Sequence, residues 1–358
     1  MRVTWALLTA LLATKATAHE KWFVESAEYQ AHLSRAFGPP AIWYVAGALL
    51  LVLLAYALWR FRGRRGILPG PELFGATPGG RSRLYGLAPM ILGVHVAVPL
   101  LAAGVSGTLF ASSVPLEGGW RFLLGLMQTG IALSFFYGGL TRPAAVALAL
   151  LWLLGTVVTS PVAMLENIHM LGFAAFFFLT GRGPYAIDRL IFPRLEPPAH
   201  LARHAVAALR IGAGLSFIVV AFTEKLANLP LALSFLNEYP LNFTAELGIP
   251  MSDLSFILSA GMVELIIGLL LILGVFVRAT IVVAWLPFNL TLTVFNWIEL
   301  VGHLPFYGIM ALLLVWDPHD RDGWVEGLRL PEATPPQAGR PPEHTVQGYR
   351  AGKPGRTD

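Results

Sequence analysis

A carboxylate stands inside an apolar run at Glu264, within GMVELIIGLLLILGVFVR. At a helical rise of about 1.5 Å per residue it lies roughly 16 Å into a span beginning near position 253, close to mid-bilayer. An ionised group at that depth is unfavourable, so Glu264 should face a bundle interior, either protonated or paired. Arg210, Lys225 and Asn289 are its candidate partners on neighbouring spans, and Gly261 and Gly268 on the same face would admit a helix at close range. The alternative to chemistry is a polar clamp that fixes helix packing. A second candidate is Glu299 with His303, four residues apart on one helix face, with Asn296 just before them. An imidazole titrating near neutrality beside a carboxylate suits proton exchange with a reducible ring such as a quinone, and it also suits a metal. A helix-terminal carboxylate favoured by the dipole, with an interfacial His nearby, would give the same pattern.

Lesser candidates follow. Glu166 and His169 form a pair like Glu299 and His303 in less polar surroundings, and His95 stands alone among Val, Leu and Ala, as a packing residue does. Near the N-terminus, Met1-Arg2, an apolar stretch over 3–13 and the small-x-small sequence Ala16-Thr17-Ala18 predict a cleaved signal peptide, 1–18. Cleavage would leave His19 first, and its amine and imidazole together with His32 would offer copper three nitrogens. A cut that merely happens to precede a histidine is the plainer explanation.

The elements that must hold these groups are membrane spans. The 358 residues are 56% hydrophobic and 13% charged, with mean hydropathy +0.65, too apolar for a soluble chain of this length. Cysteine is absent, which excludes disulfides, thiolate zinc sites and iron–sulfur clusters. Apolar segments at 41–59, 87–110, 120–138, 144–161, 164–180, 205–226, 253–274, 279–296 and 299–316 predict an all-α polytopic bundle of about nine crossings. Between the sixth and seventh, 228–250 mixes Leu and Phe with Asn, Glu and Pro, which suggests a lid on the membrane surface. The net charge of +4 does not mark a nucleic-acid binder, because the arginines fall in alternate connections. Arg60, Arg62, Arg81, Arg142, Arg182 and Arg278 occupy one set and Glu117, Glu166, Glu238 and Glu299 the other. With the signal peptide, that asymmetry predicts a cell-membrane protein whose mature N-terminus is outside and whose C-terminus is cytoplasmic. The Pro- and Gly-rich region 318–358 reads as a disordered tail.

The chain also repeats itself. At one constant offset, Gly125 aligns with Gly261, Gln128 with Glu264, Ala132 with Gly268 and Arg142 with Arg278. The division that follows is an N-terminal segment with one extra helix (19–86), then two four-helix blocks, 87–204 and 205–317. Both blocks begin from the same side, so the repeats are parallel. The second block, with Arg210, Lys225-Leu226 and the series Glu264, Gly268, Leu271, Gly274 and Arg278, resembles the DoxX-like membrane-protein family. The first is a weaker match, with Gln128 in place of the glutamate, although its end, GRGPYAID, resembles the close of the same family. The resemblance implies a four-helix fold per block and, because the family includes a membrane subunit of a thiosulfate:quinone oxidoreductase, a quinone-linked role. Such a role requires a redox partner protein, since the chain carries no motif for an electron-transfer cofactor. A transporter or copper-handling protein with a site between the blocks, and a structural membrane partner, are the alternatives.

Overall fold

The computed structural model describes Lys21 and residues 31–329. The segment expected to be a signal peptide, His19 and the end of the tail lie outside the described residues. In chain order the α-helices are α1 Leu33–Ala36, α2 Ala41–Phe61, α3 Pro78–Ser106, α4 Gly118–Tyr137, α5 Thr141–Val158, α6 Pro161–Glu166, α7 His169–Thr180, α8 Ile187–Ile191, α9 Ala205–Val220, α10 Leu229–Glu238, α11 Asp253–Leu273, α12 Val277–Val315 and α13 Arg321–Gly327. Among the described residues the only β-pairing is one isolated bridge, Thr108 to Pro115. The molecule is an all-α bundle. Five helical stretches are long and apolar enough to cross a membrane: Ala41–Phe61, Pro78–Ser106, Thr141–Val158, His200–Leu226 and Asp253–Leu273. Shorter apolar helices fill the remaining expected positions, including His169–Thr180, Val277–Leu292 and Glu299–Val315.

Two expectations require correction. The last two spans, expected as separate helices, are joined in one helical stretch of 39 residues. Straight, such a helix would reach about 58 Å at the usual rise. Instead it doubles back, because Arg278 at its start donates to the carbonyls of Leu314 (3.0 Å) and Trp316 (3.2 Å) at its end. The Tyr307 hydroxyl likewise donates to the Phe288 carbonyl at 3.1 Å. Helical turns thus continue through the reversal of a hairpin that contains Pro287 and Pro305. The second correction concerns the region from 318, which is ordered as far as 329. Asp320 caps α13, and Trp324 is buried, edge-on to Tyr85, with its indole donating to the Ala202 carbonyl at 2.9 Å. One large aromatic with a satisfied N–H suffices to anchor a segment whose composition argued against order.

The internal repeat recurs in three dimensions. Arg142 donates to the carbonyls of Phe178 (3.1 Å) and Leu195 (3.4 Å), as Arg278 does to those of Leu314 and Trp316. Gly138 and Gly274 end α4 and α11 in the left-handed conformation, at φ of 74° and 70°, and the next helices begin after Leu140 and Phe276, also left-handed at 56° and 46°. The blocks then exchange contacts: α7 packs on α9, and the second half of α12 packs on α3. At the first junction a Cβ on Gly212 would lie 2.8 Å from the Gly172 Cα; at the second a Cβ on Gly308 would lie 2.9 Å from the His95 Cβ. His95 is therefore a packing residue, and its ring bonds the Ile91 carbonyl of its own helix at 2.8 Å.

Arginine-bearing connections gather at one end of the bundle. There Arg81 meets Glu72, Asp317 and Asp320, and Arg189 bonds Glu196 and the Leu328 carbonyl. Along the helices between the two ends much of the surface is apolar: Leu50, Leu53, Leu123, Leu126, Leu150, Leu153 and Val157 are all exposed, as lipid contact requires.

Candidate functional site

Glu264 owes its setting to a break in helix type. At its end α9 passes into a π-helical turn, Ala221–Leu226. The wider turn is a feature found often at functional positions. It swings Lys225 onto α11, where its ammonium lies 3.1 Å from the Glu264 carboxylate. Side-chain exposures are 12% and 25%, so the pair is largely withdrawn from solvent, and the second carboxylate oxygen of Glu264 has no hydrogen-bond partner. Above it, Glu224 and Asn228 are fully buried.

The other expected partners of Glu264 are engaged elsewhere. Arg210 donates to the carbonyls of Leu271 and Ile272, the latter at 3.1 Å, at the C-terminus of α11, where the last carbonyls lack the usual intrahelical partner. Asn289 returns its amide to the Trp285 carbonyl of its own helix at 2.7 Å. The guanidinium thus meets helix-end carbonyls, which need a donor, rather than a carboxylate farther along the helix. Block one meets the same need differently: Arg182, from the connection after α7, donates to Phe135 (2.5 Å) and Phe136 (2.9 Å), the counterparts of Leu271 and Ile272. Gln128, the counterpart of Glu264, is fully buried and bonds only backbone: it accepts from the Phe110 N–H (2.9 Å) and donates to the Leu100 (3.1 Å) and Thr108 (3.3 Å) carbonyls.

Glu299 and His303 do meet. The carboxylate lies 3.3 Å from the imidazole Nδ1 across one helical turn, with side-chain exposures of 3% and 7%. The Thr291 hydroxyl, from the other arm of the hairpin, donates to the carbonyls of Pro287 (3.2 Å) and Phe288 (3.1 Å). Phe288 lies against His303, with ring centroids 4.3 Å apart. From there aromatic contacts run to Phe306 (5.7 Å) and Phe217 (5.8 Å), and Phe306 lies 4.6 Å from the ring of His169. His169 in turn bonds Ser216 at 3.2 Å, and Glu166 pairs with Lys21. The two imidazoles, one from each block, therefore sit at opposite ends of one aromatic cluster. The side chain of Asn296 lies outside the described residues.

Part of the segment expected as a lid forms α10. Its Ala232, Phe235 and Leu236 pack on Ile257 of α11, and Tyr239 closes edge-on to Phe295 beside the hairpin reversal, at 5.1 Å. Burial first, and the neighbouring Glu238 carboxylate second, raise the Tyr239 phenol above its ordinary range, so it remains a hydrogen-bond donor at neutral pH.

Two cavities lie apart from these pairs. One, of about 390 Å³, is a groove between α3 and α4; the other, of about 400 Å³, is bounded by Arg203, His319 and Arg321 at the arginine-rich end. Among the described residues no three His, Asp or Glu side chains come together as a metal site. His32 donates its backbone N–H to the Ala227 carbonyl at 3.1 Å.

Sequence reasoning missed the role of Arg182 and of Asp188, whose carboxylate accepts from the N–H groups of Leu140 and Thr141 (2.8 Å for the latter) and so caps α5. Both belong to the GRGPYAID motif, which was the available signal. The chain matches no protein-family model, no curated protein and no solved structure.

Proposed function

We propose that the chain is a DoxX-like membrane component of a redox system, which exchanges protons with a quinone-type ring at Glu299 and His303 and receives its electrons from a partner protein. The observation that supports this reading is a carboxylate and an imidazole held 3.3 Å apart in an apolar, aromatic-lined interior. Reduction of a quinone takes up two electrons and two protons; the electrons come from the partner, and the pair relays the protons one at a time. Phe288 and Phe306 supply flat faces for an aromatic ring. For a ring to reach His303, the Phe288 side chain must rotate away from it.

Mass spectrometry of the protein purified in mild detergent tests the reading directly. Quinone should co-purify in near-stoichiometric amount, and Glu299→Gln and His303→Phe should each retain about tenfold less, corresponding to about 1.4 kcal/mol of binding. Quinone at only the level of bulk lipid in the wild-type sample would sink the proposal.

A second reading is favoured for Glu264 alone. Its counterpart Gln128 is wholly a structural clamp, bonded only to backbone. We therefore assign Glu264 and Lys225 to fixing α11 against the π-helical turn rather than to the reaction.

The arginine-rich end is placed in the cytoplasm of a cell-membrane protein by the positive-inside rule. A cysteine-free chain makes the test simple. Phe74→Cys, 83% exposed beside the arginine-rich end, should react with an impermeant maleimide only after permeabilisation, and Leu247→Cys, 66% exposed beyond the lid helix, should react on whole cells. The reverse pattern would invert the topology.

A further inference from the structure

Several arginines at the arginine-rich end serve the fold. Arg81 engages Glu72, Asp317 and Asp320, while Arg142, Arg182, Arg189 and Arg278 bond backbone carbonyls. Two others do not. Among the described residues the side chains of Arg203 and Arg321 have neither an ion pair nor a hydrogen bond, yet both line the cavity of about 400 Å³.

Packing, not charge, brings them there. The Trp324 indole, donating to the Ala202 carbonyl at 2.9 Å, seats α13 against the turn that precedes α9. Ala202 adjoins Arg203, and Trp324 lies about one helical turn after Arg321, so this contact carries both guanidiniums to one concavity. His319 joins them on a tight turn in which its N–H donates to the Asp317 carboxylate at 2.9 Å, and Pro318 and Val325 complete the wall. Nearby carboxylates are drawn away: Asp317 and Asp320 lie with Arg81, and Asp320 also caps α13. Asp322 is the one acid in the lining.

We propose that this cavity binds a phosphate-bearing anion, the headgroup of an anionic lipid or a soluble phosphate ester. Two guanidiniums held on one concavity repel each other, and a bound anion relieves that repulsion. Guanidinium forks also match paired phosphate oxygens. The volume lies within the roughly 300–1,000 Å³ of small-ligand sites. Arg203 stands near the start of the apolar stretch His200–Leu226, at the level where headgroup phosphates meet helix ends. The inference is independent of the redox reading.

Calorimetry on the full-length protein, in a non-ionic detergent and phosphate-free buffer, provides the test. The titrants are dihexanoyl phosphatidic acid, glycerol 3-phosphate and, as the zwitterionic control, dihexanoyl phosphatidylcholine. An anion should bind once per chain, and Arg203→Gln and Arg321→Gln should each weaken it at least about tenfold, equivalent to about 1.4 kcal/mol. Both side chains are exposed, so the variants should elute from gel filtration as the wild type does. Arg194→Gln removes the same charge from an exposed residue outside the lining and should leave affinity unchanged. Asp322→Asn should tighten binding. Saturation by phosphatidic acid alone would identify a lipid headgroup as the ligand, and equal binding of glycerol 3-phosphate a soluble ester. No saturable binding of either anion, equal binding of phosphatidylcholine, or as large a loss from Arg194→Gln as from Arg203→Gln would overturn the proposal.

Discussion

Lys225→Met is expected to destabilise the protein by about 3 kcal/mol, near the lower end of the roughly 3–5 kcal/mol seen when one member of a buried ion pair is removed. The lower end applies because a quarter of the Glu264 side chain remains exposed. The loss comes from Glu264, which would be left with neither the ammonium nor any hydrogen bond at its second oxygen. Glu264→Gln should cost less, because a neutral amide demands less solvation. Lys225→Met combined with Glu264→Leu should return stability to within about 1 kcal/mol of wild type, as apolar replacement of buried pairs often does. Thermal unfolding of wild type, Lys225→Met, Glu264→Leu and the double variant in one detergent completes the cycle. If the double variant is as unstable as the sum of the singles, the pair is not coupled and the clamp assignment fails. If Glu264→Gln keeps its stability but loses bound quinone, Glu264 belongs to the reaction after all.

Gly268→Val should have a larger effect. A Cβ at this position would lie 2.6 Å from the Gly214 carbonyl oxygen and 3.1 Å from the Ile218 nitrogen, both backbone atoms of α9 that no side-chain rotation can move aside. The two helices must separate, and the Lys225–Glu264 contact would go with them. Overpacking of a close junction typically costs 1–3 kcal/mol when side chains can yield, so about 3 kcal/mol or more is expected where backbone must. Gly130→Ala is the matched control, since nothing lies within 4 Å of the added atom, and its effect should stay within about 0.5 kcal/mol. Gel-filtration yield and melting temperature report both. A Gly268→Val protein that melts with the wild type would mean that α9 and α11 do not approach as described.

Much of the architecture could be read from residue types because the constraints that impose it are local. A helix in lipid must be apolar throughout, and arginines collect where those helices end, so segment positions follow from composition. The repeat was legible in two of its aligned positions because each has a fixed geometric duty: Gly125 and Gly261 at helix junctions, Arg142 and Arg278 bracing the ends of the following helix pairs. Pairing across helices was less legible. Arg210 and Lys225 lie on the same helical run, and ideal α-helical spacing cannot tell which one reaches Glu264. The π-helical turn decides it by shifting the register just before Lys225. The hairpin in α12 escaped for the opposite reason: Asn296 and Glu299 look like a polar interruption between spans, yet the backbone stays helical between them. Order after 318 depends on Trp324 finding Tyr85 more than two hundred residues earlier, which no local pattern records.

That hairpin also bears on how its two arms hold together. Each arm carries a proline, and Arg278 at the start of the first is bonded to the carbonyls that end the second. The proline-weakened arms are thus tied at their open end, so the hairpin is stable only with both arms in place.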